Sequence, residues 1–235
     1  MRLDQALFSR GIVTSRSQAE SYIKLGLVRV DGVVVKKPAF PVRQEMVCSL
    51  DSSQYVSRAA LKLASVSDVL QLDFHNKVVL DIGSSTGGFT DYALHHGAKK
   101  VIAVDVGTQQ LHPKLRNDVR VELHEKTDIR KFTSAIKADM VLADVSFISL
   151  RNVLPTITHL LHPHAQLAIM CKPQFEANVD ALHKGVVKNS AIRRKILQDF
   201  EYWLTSNGFK IVAKADSRVK GEKGNIERFY LLVLF

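Results

Sequence analysis

Two lysines and two carboxylates stand where they could move a proton: Lys62 in VSRAALKL, Asp144 in LADVSFISL, Lys172 in MCKPQFE and Glu227 in GEKGNIERF. A lysine becomes a base when desolvation and nearby positive charge bring its pKa down from about 10.4 toward neutrality. Carboxylates then orient the amine and the group it deprotonates. Such a set suits a hydroxyl that barely ionises at neutral pH. Taken singly, Lys62 reads as a surface helix lysine and Glu227 as a solvated strand charge. Lys172 differs because it follows an apolar run, and burying an ammonium is costly.

A second constellation surrounds VVLDIGSSTGGFT, residues 78–90, where an apolar run enters a small-residue loop. Its glycines follow neither G-x-G-x-x-G nor G-x-x-x-x-G-K-[ST]. The pattern is D-x-G-x-x-x-G-G, with Asp81, Gly83, Ser84, Ser85, Thr86, Gly87, Gly88 and Phe89 as the candidate binding residues. Small residues let a ligand approach the backbone, and the following helix offers it a positive end. Asp105, 22 residues after Gly83, is spaced to hold two ribose hydroxyls. Asp128, in KTDIR, can accept from an adenine amino group. The same spacing occurs in dinucleotide folds, so Asp105 alone does not choose the ligand. The loop has no Lys or Arg, which agrees with a cofactor lacking phosphates.

The elements that must position these groups follow from periodicity. Apolar runs near 77–82, 100–105, 119–123, 139–144 and 165–171 read as strands with helical segments between them, and a longer helix fits 190–206. Repeated β-α units imply a Rossmann-like, mostly parallel sheet with helices on both faces. FKIVAKA and FYLLVLF are expected to close it as an antiparallel edge pair. In such sheets ligands bind at the carboxyl ends of the strands, which is where Asp81, Asp105, Asp128, Asp144 and Lys172 fall.

The first sixty residues read as a separate α+β module. TSRSQAESYIKLG is a short helix, with Ser15 and Gln18 as a capping box and Gly26 as the stop. Arg16, Glu20 and Lys24 fall on one exposed face, with Ala19 and Ile23 opposite. LVRVDGVVV is a hairpin turning at Asp31-Gly32, and a further short strand is expected near 46–50.

Net charge sharpens the picture. The chain carries +10 overall, distributed as +4 over residues 1–60, zero over 61–183 and +6 over 184–235. A neutral body flanked by basic ends fits a polyanionic partner better than evenly spread solubility charge. No apolar run approaches the roughly 18–20 residues needed to span a bilayer. The start has no long apolar secretory stretch, and two cysteines, Cys48 and Cys171, form neither a disulfide framework nor a metal cluster. A cytoplasmic protein without stable membrane insertion is expected.

RLDQAL, TSRSQAESYI and VRVDGVVV resemble the S4 RNA-binding domain, apart from Asp31 where Asn is more usual. That resemblance implies an RNA-contacting face on the second helix and adjoining loop, drawing on Arg2, Arg10, Ser15, Arg16, Lys24 and, just beyond, Arg58. The D-x-G-x-x-x-G-G loop with its later acids looks like the S-adenosylmethionine site of FtsJ-type RNA ribose methyltransferases. Lys62, Asp144, Lys172 and Glu227 match in order the Lys-Asp-Lys-Glu set of those enzymes. The resemblance implies Lys172 as base, Asp144 as its orienter and a further cofactor-site residue, and Lys62 and Glu227 as positioning groups.

Across almost the whole chain, the motifs resemble the haemolysin A/TlyA family of ribosomal RNA methyltransferases. These join an S4 domain, here 1–54, to an FtsJ-like domain, here 55–235. Ala59-Ala60 departs from the paired glycines common in that family and bears on the backbone leading to Lys62. The resemblance implies 2′-O-methylation of a cytidine in ribosomal RNA, free or within a ribosomal subunit. The alternatives are a membrane-lytic haemolysin, which the absence of a spanning or long basic amphipathic helix disfavours, and a non-catalytic S4-type RNA-binding protein. The glycine spacing disfavours an NAD oxidoreductase.

Overall fold

Apolar residues that alternate along short runs can be buried on both sides only if helices cover both faces of the sheet they form. The computed structural model realises that arrangement. It describes residues 1–13, 15–50, 55–177, 186–187, 189–221 and 224–235.

The N-terminal unit comprises α1 (Leu3–Ser9), α2 (Arg16–Leu25), β1 (Val28–Val30), β2 (Val33–Val34) and β3 (Cys48–Leu50), with the strands antiparallel in the order β2-β1-β3. Ser15 caps α2 by accepting from the Gln18 N–H at 3.1 Å, and Gly26 ends it at φ 75°. Asp31 and Gly32 both have positive φ, 49° and 81°, as a type I′ hairpin requires. Arg16, Glu20 and Lys24 are exposed, whereas Ala19 and Ile23 are buried.

The larger unit contains α3 (Arg58–Leu70), β4 (Val78–Ile82), α4 (Gly88–His95), β5 (Lys100–Val104), α5 (Pro113–Arg116), β6 (Val121–His124), β7 (Ala138–Ala143), β8 (Leu161–Cys171), α6 (Pro173–Glu176), α7 (Ser190–Ser206), β9 (Phe209–Asp216) and β10 (Arg228–Leu234). Its sheet runs β6-β5-β4-β7-β8-β10-β9, with β4 to β8 parallel and β10 antiparallel to both its neighbours. Strand order reverses at β4, so the loop after β4 opens at the switch point. α7 occupies the expected helix.

The connections differ from the expected helical segments. β6–β7 and β7–β8 are bridged by 3₁₀ turns, at Ile129–Lys131 and at Leu150–Asn152 and Leu154–Leu160. Pro155 and the β-branched Thr156, Ile157 and Thr158 are poor α-helix formers, and the tighter turn accommodates them. β8 begins four residues before the expected start, with a register shift against β7 between Ala138 and Met140.

The sheet has two buried faces. Leu80, Ile82, Val141, Ile169 and Tyr230 pack with α7 and the 3₁₀ turns. Val79, Met140, Ala168, Met170 and Phe229 pack with α3 and α4. The two units also share a core, because Leu61 of α3 and Val219 of the β9–β10 loop are buried with Leu3, Leu7, Tyr22 and Ile23. The expected boundary after residue 54 falls at 51–54, which lie outside the described residues.

Leu61→Ala should destabilise the protein by about 2–4 kcal/mol, as for other fully buried leucines. Because Leu61 sits in the shared core, urea unfolding should remain a single transition at a lower midpoint. Separation into two transitions would show that the units unfold independently.

Candidate active site

Strand parity decides which side chains meet. Successive residues of a strand point to opposite faces, so Asp81 shares the α3/α4 face with Val79. Asp144, one beyond β7, continues the parity of Met140 and Leu142. Lys172, one beyond β8, continues that of Ala168 and Met170, and Glu227, one before β10, that of Phe229 and Leu231. Arg228 pairs with Cys171, which sets Glu227 and Lys172 at neighbouring strand ends. α3 crosses the same face and brings Lys62.

The four residues form two pairs. Lys62 Nζ lies 3.0 Å from Glu227 Oε1, with side chains 15% and 3% exposed. Lys172 Nζ lies 2.6 Å from Asp144 Oδ1 and donates to Ser146 Oγ at 2.7 Å. The Lys172–Asp144 contact has ion-pair length without hydrogen-bond alignment, so Asp144 Oδ1 is buried without a hydrogen-bond partner among the described residues. Glu227 Oε2 is likewise buried and unpartnered. Ala59 and Ala60 lie in a regular first turn of α3, where Ser57 caps the helix by accepting from the Ala59 N–H. Lys62 therefore stands on ordinary helical backbone.

Two cavities adjoin at Asp144 and also share Gly83 and Ser85. The larger, about 450 Å³, is lined by Asp105, Val106, Asp128, Ile129 and Phe147 among others. The smaller, about 80 Å³, is lined by Ala59, Asp81, Ser84, Thr86, Gly88 and Phe89 among others. Gly83 has φ 79°, and a Cβ there would fall 2.6 Å from the Asp144 carbonyl oxygen. Gly88 is equally constrained, because a Cβ would collide with Ser57 Oγ and fall 2.7 Å from Ala59 Cβ. Gly87 takes the left-handed turn into α4 at φ 93°, with no room for a side chain beside Leu111 and Leu115.

The acids differ in state. Asp81 is fully buried; Oδ2 accepts from the Thr90 hydroxyl at 2.6 Å, while Oδ1 has no hydrogen-bond partner. Burial pushes its carboxyl up to about 7 despite the Thr90 bond, and the nearby Asp144 and Asp105 charges add to the rise. Asp105 accepts from the Ser85 and Gly107 N–H groups at 2.8 and 2.7 Å, which fix its carboxylate at the cavity wall. Asp128 is gripped by the Arg130 side chain, which holds its carboxyl down at about 2.

Phe147 is a residue that sequence reasoning missed. It is 93% exposed, has φ 64° and sits 5.4 Å from the Phe175 ring, whose centroid lies 5.8 Å from Lys172 Nζ. Glu176 fastens its loop: the Ser149 hydroxyl and the Leu150 N–H donate to it at 2.6 and 2.7 Å, and burial pushes its carboxyl up. A phenylalanine within LADVSFISL carries no sequence signal of exposure.

The expected RNA-binding residues divide. Arg2 and Arg16 both pair with the buried Asp4, and Lys24 pairs with Glu20 at 2.6 Å. Arg10 directs its guanidinium at the carbonyls of Arg43, Gln44 and Met46, so it braces the extended segment. Ser15 serves as the cap of α2. Arg58 faces a cleft between the two units.

The FtsJ-like methyltransferase model matches residues 55–234, and the S4 domain model residues 1–48. The chain belongs to the FtsJ-like methyltransferases. Among curated relatives it is 42% identical to Hemolysin A of Brachyspira hyodysenteriae over 97% of both chains. It is 37% identical to the 16S/23S rRNA (cytidine-2′-O)-methyltransferase TlyA of Mycobacterium tuberculosis, over 98% of this chain and 89% of that one. A solved structure described as a hemolysin from Streptococcus thermophilus superimposes with TM-score 0.74 at 35% identity, covering 100% of this chain and 88% of that one. These relatives place this FtsJ-like methyltransferase in the haemolysin A/TlyA family. No helix among the described residues is long and apolar enough to cross a membrane.

The cofactor of an FtsJ-like methyltransferase is S-adenosylmethionine, and the residues present fit it. The unpartnered Asp81 Oδ1 and Ser84 Oγ suit the amino-acid end. Asp105 suits the ribose hydroxyls, and Asp128 with Ile129 the adenine. No lysine or arginine among the described residues lines the smaller cavity, and the one arginine lining the larger, Arg130, is engaged with Asp128, which agrees with a phosphate-free ligand.

Asp81 predicts a pH dependence. Between about 4 and about 7 the folded protein keeps a proton on Asp81 that the unfolded chain has released. Its contribution to stability therefore falls as pH rises through that window and is level above it. A cation at Asp81 favours the carboxylate, so affinity for S-adenosylmethionine should rise toward pH 7 and then plateau. Calorimetric titration between pH 5.5 and 8 checks this, and Asp81→Asn should flatten the profile.

Proposed function

We propose that this protein transfers a methyl group from S-adenosylmethionine to the 2′-hydroxyl of a cytidine ribose in ribosomal RNA, in the cytoplasm. One observation carries the reading: two lysine–carboxylate pairs, one built on the buried Glu227 and one half-buried, stand on one sheet face, with Asp144 lining the cofactor cavity and holding Lys172. S-adenosylmethionine supplies an electrophilic methyl group on a sulfonium. Lys172, acting as the amine, takes the hydroxyl proton at Nζ while the ribose oxygen attacks. Asp144 and Ser146 fix the position of Nζ. Glu227 Oε2, which has no hydrogen-bond partner among the described residues, accepts from the incoming hydroxyl or amine, and Lys62 balances its charge.

Phe147 gives the nucleobase a surface beside this centre. An exposed aromatic ring held at positive φ suits stacking with a base turned out of its helix. The S4 unit, through Arg16 and Lys24, grips the RNA backbone, and its similarity to S4 RNA-binding domains supports that role. The domains are assigned as 1–54 and 55–235.

Purified protein incubated with S-adenosylmethionine and ribosomal subunits should yield 2′-O-methylcytidine, read by nuclease digestion and mass spectrometry. Lys172→Ala should abolish transfer while changing cofactor affinity by less than about 3-fold. Undiminished transfer by that variant removes Lys172 as the base. Base stacking on one aromatic ring is worth about 1–3 kcal/mol. Phe147→Ala should accordingly lower kcat/KM for RNA by roughly 5- to 150-fold, and Phe147→Tyr should restore it.

A further inference from the structure

The β9–β10 loop joins three parts of the molecule. Its Val219 is buried in the core of the S4 unit, and the Arg218 N–H donates to Ser65 Oγ of α3 at 3.2 Å. Ser217 closes the loop by donating its N–H to the Glu227 carbonyl at 2.9 Å. Gly221 lies so close to Glu227 that a Cβ there would fall 2.5 Å from Oε1. The loop thus runs from the S4 core to a residue of the catalytic set.

Beside it lies a cleft of about 270 Å³ between the units. Lys24 and Glu20 line it from α2, Arg58 from α3, and Arg218 and Lys220 from the loop. Among the described residues, four cations face one carboxylate, and that carboxylate already pairs with Lys24. No carboxylate among the described residues pairs with Arg58, Arg218 or Lys220. Arg58 Nε is buried without a hydrogen-bond partner, and its guanidinium makes one long bond, 3.4 Å, to the Lys220 carbonyl. Unbalanced guanidinium and ammonium groups around a concavity of this size are complementary to a phosphate.

We infer that this cleft binds a backbone phosphate of the RNA substrate flanking the ribose to be methylated, with Arg58, Arg218 and Lys220 as its contacts. The placement follows from α3. Arg58 and Lys62 are four residues apart on one helix face, about 6 Å along the axis. A phosphate held by Arg58 is therefore one helical turn from the lysine that faces Glu227. Val219 fixes Arg218 and Lys220 to the S4 unit, so RNA gripped by S4 is placed at a set distance from the reacting centre. This assignment rests on the proposed action on RNA.

The test is filter binding of a ribosomal RNA fragment to the full-length protein over a range of salt concentrations, run beside methyl transfer. The Arg218→Gln/Lys220→Gln variant should bind RNA roughly 10-fold more weakly at about 0.1 M salt. Its slope of log affinity against log salt should be shallower by about 1, as expected for one lost phosphate contact. Cofactor titration and thermal melting check that the variant is folded. Lys195→Gln/Lys210→Gln removes the same charge from exposed lysines outside the cleft and should leave affinity and slope near wild type. An unchanged slope in the cleft variant, or an equal loss in the control, overturns the assignment. If the wild type transfers methyl to RNA and the cleft variant binds normally, the cleft assignment fails while the proposed function stands. If the variant loses affinity while the wild type modifies no ribose, the proposed function fails and with it the placement beside a methylated ribose, while RNA-phosphate binding in the cleft stands.

Discussion

A carboxyl group as deeply buried as Glu227 needs a partner, because a protein interior does not by itself return what is lost on leaving water. Lys62 meets that need from 165 residues away in sequence. The pair ties the helix that follows the S4 unit to the strand that ends the sheet, and much of the architecture serves it. β10 must run antiparallel between β8 and β9 for Glu227 to emerge beside Lys172. α3 must lie on the face shared with α4 for Lys62 to reach it. Removing either partner alone would strand a buried charge, which is more damaging than losing one surface ion pair.

The cofactor side is built by exclusion. Gly83 and Gly88 are glycines because carbonyl oxygen, hydroxyl or methyl groups stand where their side chains would be. The acids at the strand ends behave as a graded series. Asp81 is desolvated and retains its proton near neutrality, Asp105 is fixed by two backbone N–H groups, and Asp128 is held charged by Arg130. One sheet edge thus lines adjoining cavities with carboxyl groups in unlike states.

Much of this was legible in the sequence where the signal is local. The hairpin at Asp31-Gly32, the cap at Ser15, α7 and the positions of the five parallel strands along the chain follow from turn chemistry and periodicity. Lys62, Asp144, Lys172 and Glu227 stood out as four spaced residues, since strand ends are where such groups gather, and the structure brings them together as two pairs. What was hidden depends on contacts between distant segments. Nothing near Val219 says that it belongs to the S4 core, and nothing near Arg10 says that its donors are taken up by the carbonyls of residues 43, 44 and 46. Read alone, Arg10 is a candidate phosphate contact; the fold adds that it braces residues 43–46. The 3₁₀ crossovers escaped because an apolar period near three resembles one of 3.6 over so few residues.

The shared core has a consequence for the order in which the protein can come to life during translation. Chains fold from the N-terminal side as they are made, at about 5–20 residues per second. The S4 unit is synthesised first, yet its core is completed by Leu61 and then by Val219. The residues that line the cofactor cavity are all made by 153, while the partner of Lys62 arrives with residue 227. A growing chain therefore carries the whole lining for the methyl donor well before it carries the second lysine–carboxylate pair. The same last segment that supplies Glu227 also locks the S4 unit in place, so grip and reactivity mature together.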